Sequence, residues 1–156
     1  MSGADQTPQA VQAIRALARL SRVLERSSAD LNLAHYRVLS SVADGDERAS
    51  HVAERLALGK PTVSAAVDAL TKRGLLARGD VARDGRAAAL SLTPEGAAVL
   101  AEVEEQMLAR ITPLAARTPD ADRALESLAW LGEAIDAAVS ERLAARAAQR
   151  GRGGAS

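Results

Sequence analysis

The chain is organised around one segment, Pro61-Thr62-Val63-Ser64-Ala65-Ala66-Val67-Asp68-Ala69-Leu70-Thr71-Lys72-Arg73-Gly74. Its first residue is a proline, which suits the first turn of a helix because the amide hydrogen it lacks would be unpaired there anyway. Its last residue is a glycine, which can take the left-handed conformation that ends a helix. Val63, Val67 and Leu70 recur at helical spacing. The segment therefore predicts an amphipathic helix with one buried face.

The outer face of this helix is suited to the major groove of DNA. It carries small or hydrogen-bonding side chains, namely Thr62, Ser64, Ala65, Asp68 and Lys72. Such side chains allow close approach and offer donors, acceptors and methyl groups to base edges. An ordinary surface helix has a similar pattern, so the neighbouring segments decide between the two interpretations.

The preceding segments predict a helix-turn-helix. Asn32 is suited to cap a helix that runs to Ala43, and Ser50 is suited to cap a short helix from His51 to Leu58. Leu58-Gly59-Lys60 then forms a tight turn into the helix that starts at Pro61. Two short helices joined by a turn that contains glycine are typical of a helix-turn-helix.

A basic hairpin follows the helix pair. We expect strands over Leu75–Val81 and Ala87–Leu92, with Asp84-Gly85 as a strong hairpin signal between them. Arg83 and Arg86 flank this turn. An exposed basic hairpin is often a solvated turn, but after a helix-turn-helix it is typical of a wing that contacts the minor groove or phosphates.

Both ends of the chain predict long helices that are apolar along one side. Thr93 is suited to cap the helix that opens at Pro94, and Pro113 predicts an interruption of that helix. The economical explanation is that the long helices at the two ends pack on each other and on a second copy of the chain. Two winged helix-turn-helix regions about one DNA turn (~34 Å) apart would then bind the two halves of a palindrome. The chain divides into a disordered start (1–8), an N-terminal dimerisation helix (9–30), a winged helix-turn-helix (31–93), C-terminal dimerisation helices (94–147) and a flexible tail (148–156). The predicted fold class is mainly α with a small β-hairpin.

Charge is distributed unevenly, although the 156-residue chain has zero formal net charge. Residues 48–93 hold eight Lys and Arg against four acidic residues, or +4, whereas residues 94–141 hold three against ten, or −7. A basic middle beside acidic flanks suits a protein with one face that meets phosphates. The start of the chain has no signal-peptide pattern and no apolar run approaches a membrane span, so we expect a cytoplasmic protein.

Other chemistry finds little support in the sequence. There is no cysteine, which excludes a thiol nucleophile and a cysteine redox sensor. The two histidines, His35 and His51, lack paired metal-ligand spacing, and their role stays open. The sequence has clustered acidic residues at Glu102, Glu104 and Glu105 and at Asp120 and Asp122, but no partner nucleophile for acid-base catalysis. It also has no glycine-rich phosphate loop. We therefore expect no metal site, no cofactor and no enzymatic activity.

These motifs together resemble the MarR (multiple antibiotic resistance regulator) family of bacterial transcription factors over residues 31 to 100. The resemblance is carried by Leu31-Asn32-Leu33-Ala34-His35-Tyr36-Arg37-Val38-Leu39, Ala53-Glu54-Arg55-Leu56, Thr62-Val63-Ser64, Leu70-Thr71-Lys72-Arg73-Gly74-Leu75-Leu76, Arg78-Gly79-Asp80-Val81-Ala82-Arg83-Asp84-Gly85-Arg86 and Leu90-Ser91-Leu92-Thr93-Pro94-Glu95-Gly96. It implies a triangular homodimer with two winged lobes. It also implies a repressor that a small, often phenolic or anionic, ligand releases from DNA.

The resemblance assigns roles to the wing residues: Arg86 enters the minor groove, and Asp84 steadies the wing through an ion pair. The full set of expected DNA contacts is Ser50, Lys60, Pro61, Thr62, Ser64, Ala65, Asp68, Lys72, Arg78, Arg83, Asp84 and Arg86, of which Ser50, Lys60 and Lys72 hold phosphates. Tyr36, Arg19 and Trp130 are candidates to line a ligand pocket. Many family members carry an arginine just after the recognition-helix serine, where this chain has Ala65.

The alternative to a DNA-binding regulator is a winged helix that serves a protein partner. That interpretation predicts an apolar outer face on the helix at 61–73, whereas the sequence has a polar one. The sequence leaves open the effector, the operator, the regulated genes and whether binding represses or activates.

Overall fold

The computed structural model describes residues 3–45, 48–79 and 89–153, with the backbone alone for 3–7 and 150–153. The helices in these ranges are α1 (Gly3–Glu25), α2 (Leu33–Ala43), α3 (Ala49–Arg55), α4 (Lys60–Lys72), α5 (Pro94–Ala115) and α6 (Ala121–Gly153). Strands β1 (Leu76–Arg78) and β2 (Leu90–Leu92) pair antiparallel, with Leu76 opposite Leu92 and Arg78 opposite Leu90. This arrangement is the winged-helix fold that the sequence predicts.

The core lies in the reading head, which we define as α2, α3, α4, the β1–β2 sheet and the first half of α5. Leu39 of α2 and Leu70 of α4 are completely buried there, and Val103 of α5 joins them. Val63 and Val67 are also buried, which confirms the predicted inner face of α4. One chain is therefore sufficient to close the core of the reading head.

Two predicted helix caps hold α2 and α5 in place. The Asn32 side chain accepts a hydrogen bond from the His35 amide at 2.8 Å. The Thr93 hydroxyl accepts from the Gly96 amide at 2.9 Å and donates to the Gly74 carbonyl oxygen at 2.6 Å. Gly74 has a φ of +74°, so it ends α4 in the predicted left-handed conformation. Thr93 thus joins the end of α4 to the start of α5.

Gly96 is needed because α5 begins against the backbone of the preceding segment. A Cβ at this position would lie 1.9 Å from the Leu75 carbonyl oxygen. Only a residue without a side chain lets α5 approach so closely.

Ser50 is not a helix cap, contrary to the sequence prediction. α3 begins at Ala49, so Ser50 lies inside its first turn, and the residue before the helix is the extended Arg48. Alanine is a strong helix former, so the helix starts at Ala49, one residue before the serine. The strands also differ, since β1 and β2 have three residues each where the sequence predicts longer ones. Val81 and Ala87 lie outside the described residues.

The long helices extend further than the sequence predicts. α1 starts at Gly3 rather than near Gln9, and α6 runs to Gly153, past the expected end near Ala147. α5 also continues through Pro113 to Ala115, where the sequence predicts an interruption. Once a helix has nucleated, adding alanine-rich turns is easy, and a proline in the last turn removes one hydrogen bond without ending the helix.

Helices α1, α5 and α6 leave a large apolar surface open. α1 and α6 both pack against α5. Large hydrophobic side chains on α1 and α6 stay exposed, namely Val11, Ile14, Leu17, Leu128, Trp130, Leu131 and Ile135. An apolar groove of ≈ 470 Å³ runs between the three helices. Within the described part of the chain, no helix is long and apolar enough to cross a membrane.

Candidate nucleic-acid interface

The outer face of α4 presents the side chains that the sequence assigns to DNA contact. Pro61, Thr62, Ser64, Ala65, Asp68 and Lys72 are all exposed. Their opposite neighbours Val63, Ala66, Val67 and Leu70 are buried and anchor the helix to the core. The exposed face carries small or polar side chains above a buried inner face, which suits entry into a major groove.

The start of α4 is open to an anion. Its N-cap residue is Gly59, which supplies no side-chain hydrogen bond to the first turn. Unpaired amides at a helix start attract phosphate through their hydrogen atoms and the helix dipole. The exposed Lys60 adds a positive charge at the same point. Ser50, in the first turn of α3, is exposed as well.

Arg78 and Asp68 form an ion pair that links β1 to α4. Both side chains are about half exposed or more, so the pair contributes little to stability. Its effect is positional, because it holds the Asp68 carboxylate beside a guanidinium instead of leaving an isolated negative charge on the outer face of α4. The remaining wing residues expected to contact DNA, Arg83, Asp84 and Arg86, lie outside the described residues.

His35 lies beside α4 rather than in a metal site. It lines a shallow cavity of ≈ 230 Å³ together with Thr62, Ala65 and Ala66. Burial lowers the pKa of the imidazole, and the positive charge of Arg73 lowers it further. His51 is exposed on α3. Among the described residues, no group of three or more His, Asp or Glu side chains could hold a metal ion.

Tyr36 lines a second cavity, where the reading head meets the long helices. This cavity of ≈ 320 Å³ is otherwise bounded by Leu24, Glu104, Met107, Leu108 and Ile111. The Tyr36 hydroxyl donates to Glu104 Oε1 at 3.5 Å. Burial raises the pKa of Tyr36, and the negative charges of Glu104 and Asp44, with the Glu104 hydrogen bond, raise it further. The phenol is therefore a neutral donor in an apolar cavity.

Arg19 and Trp130 do not line this cavity within one chain. The Arg19 Nε donates to the Arg15 carbonyl oxygen of its own helix at 3.3 Å. Trp130 is 51% exposed on α6. Of the three side chains proposed for a pocket, the structure places Tyr36 alone at this cavity.

Several neighbours of these sites are not found by sequence reasoning. Glu104 is 68 residues from Tyr36 along the chain, and no local motif indicates their contact. Arg142 and Arg146 of α6 line a third cavity together with Lys60. Their spacing of four residues places both arginines on one side of a helix, and this signal is present in the sequence.

Comparison with protein-family models gives one match over the reading head. Residues 29–87 match the model of the MarR family. No curated protein sequence matches the chain.

Solved structures match the fold over most of the chain. A transcriptional repressor named CouR, bound to a 23-mer DNA duplex, is 26% identical with a TM-score of 0.65, over 78% of this chain and 88% of that chain. The regulator PcaV of Streptomyces coelicolor, in complex with its natural ligand, is 25% identical with a TM-score of 0.58, over 83% and 91%. YusO of Bacillus subtilis is 24% identical with a TM-score of 0.61, over 86% and 99%.

Proposed function

We propose that this chain, whose residues 29–87 match the model of the MarR family, is a sequence-specific transcriptional repressor that binds a palindromic operator as a homodimer. The observation that carries the proposal is the outer face of α4, where six polar or small side chains are exposed while the inner face is fixed in the core. A docking site for a protein would favour aromatic or methionine side chains and few charges at its centre, whereas this face carries Asp68 and Lys72 and no aromatic residue. We place this activity in the cytoplasm and assign no catalytic step to it.

In the proposed complex, α4 enters the major groove with its first turn towards the bases. Thr62 and Ser64 offer hydroxyl groups to base edges, and Ala65 offers a methyl contact to thymine. Lys60, Lys72 and Ser50 hold phosphates and fix the register of the helix. The wing adds Arg86 in the minor groove, as the family resemblance implies.

The exposed apolar surface of α1 and α6 supports the homodimer. Ile14 is 66% exposed and Ile135 is 55% exposed in a single chain. Leu17, Leu128 and Leu131 are also exposed, and they line the apolar groove between the three helices. Large exposed apolar patches mark interaction surfaces in soluble proteins. A second copy would bury this surface and present two reading heads to the two halves of a palindrome.

We further propose that the Tyr36 cavity receives a small effector. The cavity is lined by Leu24 of α1, Tyr36 of α2 and Met107 of α5. A bound molecule would therefore contact both the reading head and the long helices. The cavity walls are apolar except for the Tyr36–Glu104 pair. The Glu104 carboxylate disfavours an anionic group beside it and favours a neutral hydroxyl that can donate to it. A neutral hydroxylated aromatic compound fits these walls best.

Selection of bound genomic fragments tests the proposed function. Purified protein is mixed with fragments of the source genome at physiological salt, and the retained duplexes are sequenced. We expect enrichment of one inverted repeat whose half-sites are about 10 base pairs apart, or one helical turn. Recovery of fragments with no common sequence would contradict sequence-specific binding.

A further inference from the structure

The C-terminal part of α6 carries an isolated block of positive charge. Residues 142–156 contain four arginines and no acidic residue, whereas residues 94–141 carry −7. Arg142 and Arg146 are the two members of this block whose side chains the structure describes, and both are exposed. The change of sign occurs within one continuous helix, so charge is concentrated at one of its ends.

The fold brings this basic end of α6 to the start of the recognition helix. Arg142 and Arg146 line a cavity of ≈ 380 Å³ with Lys60, the first residue of α4. Ala57 and Leu58 of the α3–α4 turn form another part of its wall, and Glu54 is an acidic residue among them. Three cations against this carboxylate leave the cavity rim positive.

Contacts on α6 hold the helix in this position. Asp136 Oδ1 lies 3.3 Å from Arg55 Nη2 of α3. Val139, one turn further on, is buried where α6 meets α3 and the following turn. Arg142 Nε donates to the Ala138 carbonyl oxygen at 3.3 Å, which keeps the stem of this side chain along the helix. The two arginines are thus displayed from a fixed helix and not from a loose tail.

We propose that Arg142 and Arg146 form a second phosphate-binding element, which extends the DNA contact of the winged helix along the backbone next to Lys60. The inference rests on the proposed DNA-binding function. Lys60 and the open start of α4 would hold one phosphate. The next phosphates along the same DNA strand would then lie near the cavity rim, within reach of the two long arginine side chains. Guanidinium groups suit this contact because their planar donors match phosphate oxygens.

The salt dependence of DNA binding tests this proposal, because each neutralised phosphate adds about 0.9 to the magnitude of the slope of log affinity against log salt. The double variant Arg142→Gln/Arg146→Gln keeps long helix-forming side chains and removes two charges per chain. If each chain of the dimer then neutralises one phosphate fewer, we expect the slope to become shallower by about 1.8. Arg142→Lys/Arg146→Lys should retain most of the wild-type slope.

Arg110→Gln/Arg117→Gln is the matched control. It removes the same charge near the far end of α5, about 24 Å or more along the helix from Pro94 at its start. A slope in the Arg142/Arg146 variant equal to that of wild type, or an equal change of slope in the control variant, would overturn the proposal. Wild-type protein without salt-dependent binding to its selected DNA would instead overturn the proposed function itself.

Discussion

The reading head and the terminal helices solve the burial of apolar side chains in different ways. Leu39 and Leu70 are completely buried within one chain, whereas Ile14 of α1 and Ile135 of α6 keep more than half of their surface exposed. The reading head closes its core within one chain, whereas the terminal helices leave apolar side chains exposed. Apolar stripes of the same helical spacing thus form a core in one region and, in the dimer that we propose, the interface between copies in the other.

Glutamate on the exposed apolar stripe of α6 should produce the largest effect, because it should disrupt the proposed dimer without unfolding the reading head. Leu128→Glu/Ile135→Glu places two charges on the apolar face, and we expect monomers whose reading heads stay folded. Operator affinity should fall by about a thousand-fold, at the lower end of the usual gap between specific and non-specific binding. Light scattering gives the mass, and anisotropy with the selected operator gives the affinity.

Ala134→Glu/Ala137→Glu adds the same charge to other faces of α6, where both positions are exposed. We expect this control to stay dimeric and to bind DNA. An intact dimer in the Leu128/Ile135 variant would show that the exposed stripe is not the interface.

A methyl group at Gly96 should destabilise the reading head itself. Because the added Cβ of Gly96→Ala would lie 1.9 Å from the Leu75 carbonyl oxygen, α5 must shift away from the sheet. We expect the free energy of unfolding to fall by about 1–3 kcal/mol, as for other overpacked positions. Denaturant unfolding measures the change.

Gly132→Ala on α6 is the matched substitution, since within one chain no atom beyond its chain neighbours and the nearby backbone of its own helix lies within 4 Å of the added Cβ. There the free energy of unfolding should rise by about 0.5–1 kcal/mol, because alanine favours a helix more than glycine does. Equal effects of the two substitutions would contradict the close approach at Gly96.

Removal of the wing arginine should weaken DNA binding and leave the dimer intact. Arg86→Ala is expected to weaken operator binding by about 1–3 kcal/mol, the usual range for one specific contact. Anisotropy and light scattering on the same sample separate affinity from assembly. Wild-type affinity in this variant would remove the role assigned to Arg86.

Acid should weaken the reading head slightly through His35. The pKa of this imidazole is lowered in the folded chain, so folding favours the neutral form. Its contribution is complete above the ordinary pKa of 6.5 and is lost as the pH falls through the lower folded value. The fall in unfolding free energy between pH 7 and pH 5 should therefore be smaller in His35→Gln than in wild type.

His51→Gln changes the exposed histidine of α3 and serves as the control in the same denaturant titrations. If His35→Gln follows the wild-type profile, the assigned effect of burial at His35 is wrong.

Local signals predict much of the reading head. The inner face of α4 and the caps Asn32 and Thr93 depend on spacing and on residues within one turn of each other, and the structure confirms them. Ser50 shows the limit of such rules, because a favourable cap residue loses to a helix that starts one residue earlier. The competition depends on differences of about a few tenths of a kcal/mol.

Contacts between distant segments are beyond such local signals. The sequence identifies Tyr36 as a pocket candidate, but its partner Glu104 follows from how α5 crosses α2. Arg142 and Arg146 are far from Lys60 in the sequence, and the packing of α6 against α3 brings them to the same cavity. The roles of Arg83, Asp84 and Arg86 stay predictions of the sequence.

The proposed function depends on binding of a specific DNA sequence through electrostatic and base contacts of the winged helix. Fluorescence anisotropy tests it most directly, with DNA from just upstream of its own gene and an unrelated duplex of equal length, each at two salt concentrations. We expect tighter binding to the upstream DNA, with an affinity that falls steeply as the salt concentration rises. Equal, weak binding to both duplexes, and likewise to the fragments recovered by genomic selection, would contradict it.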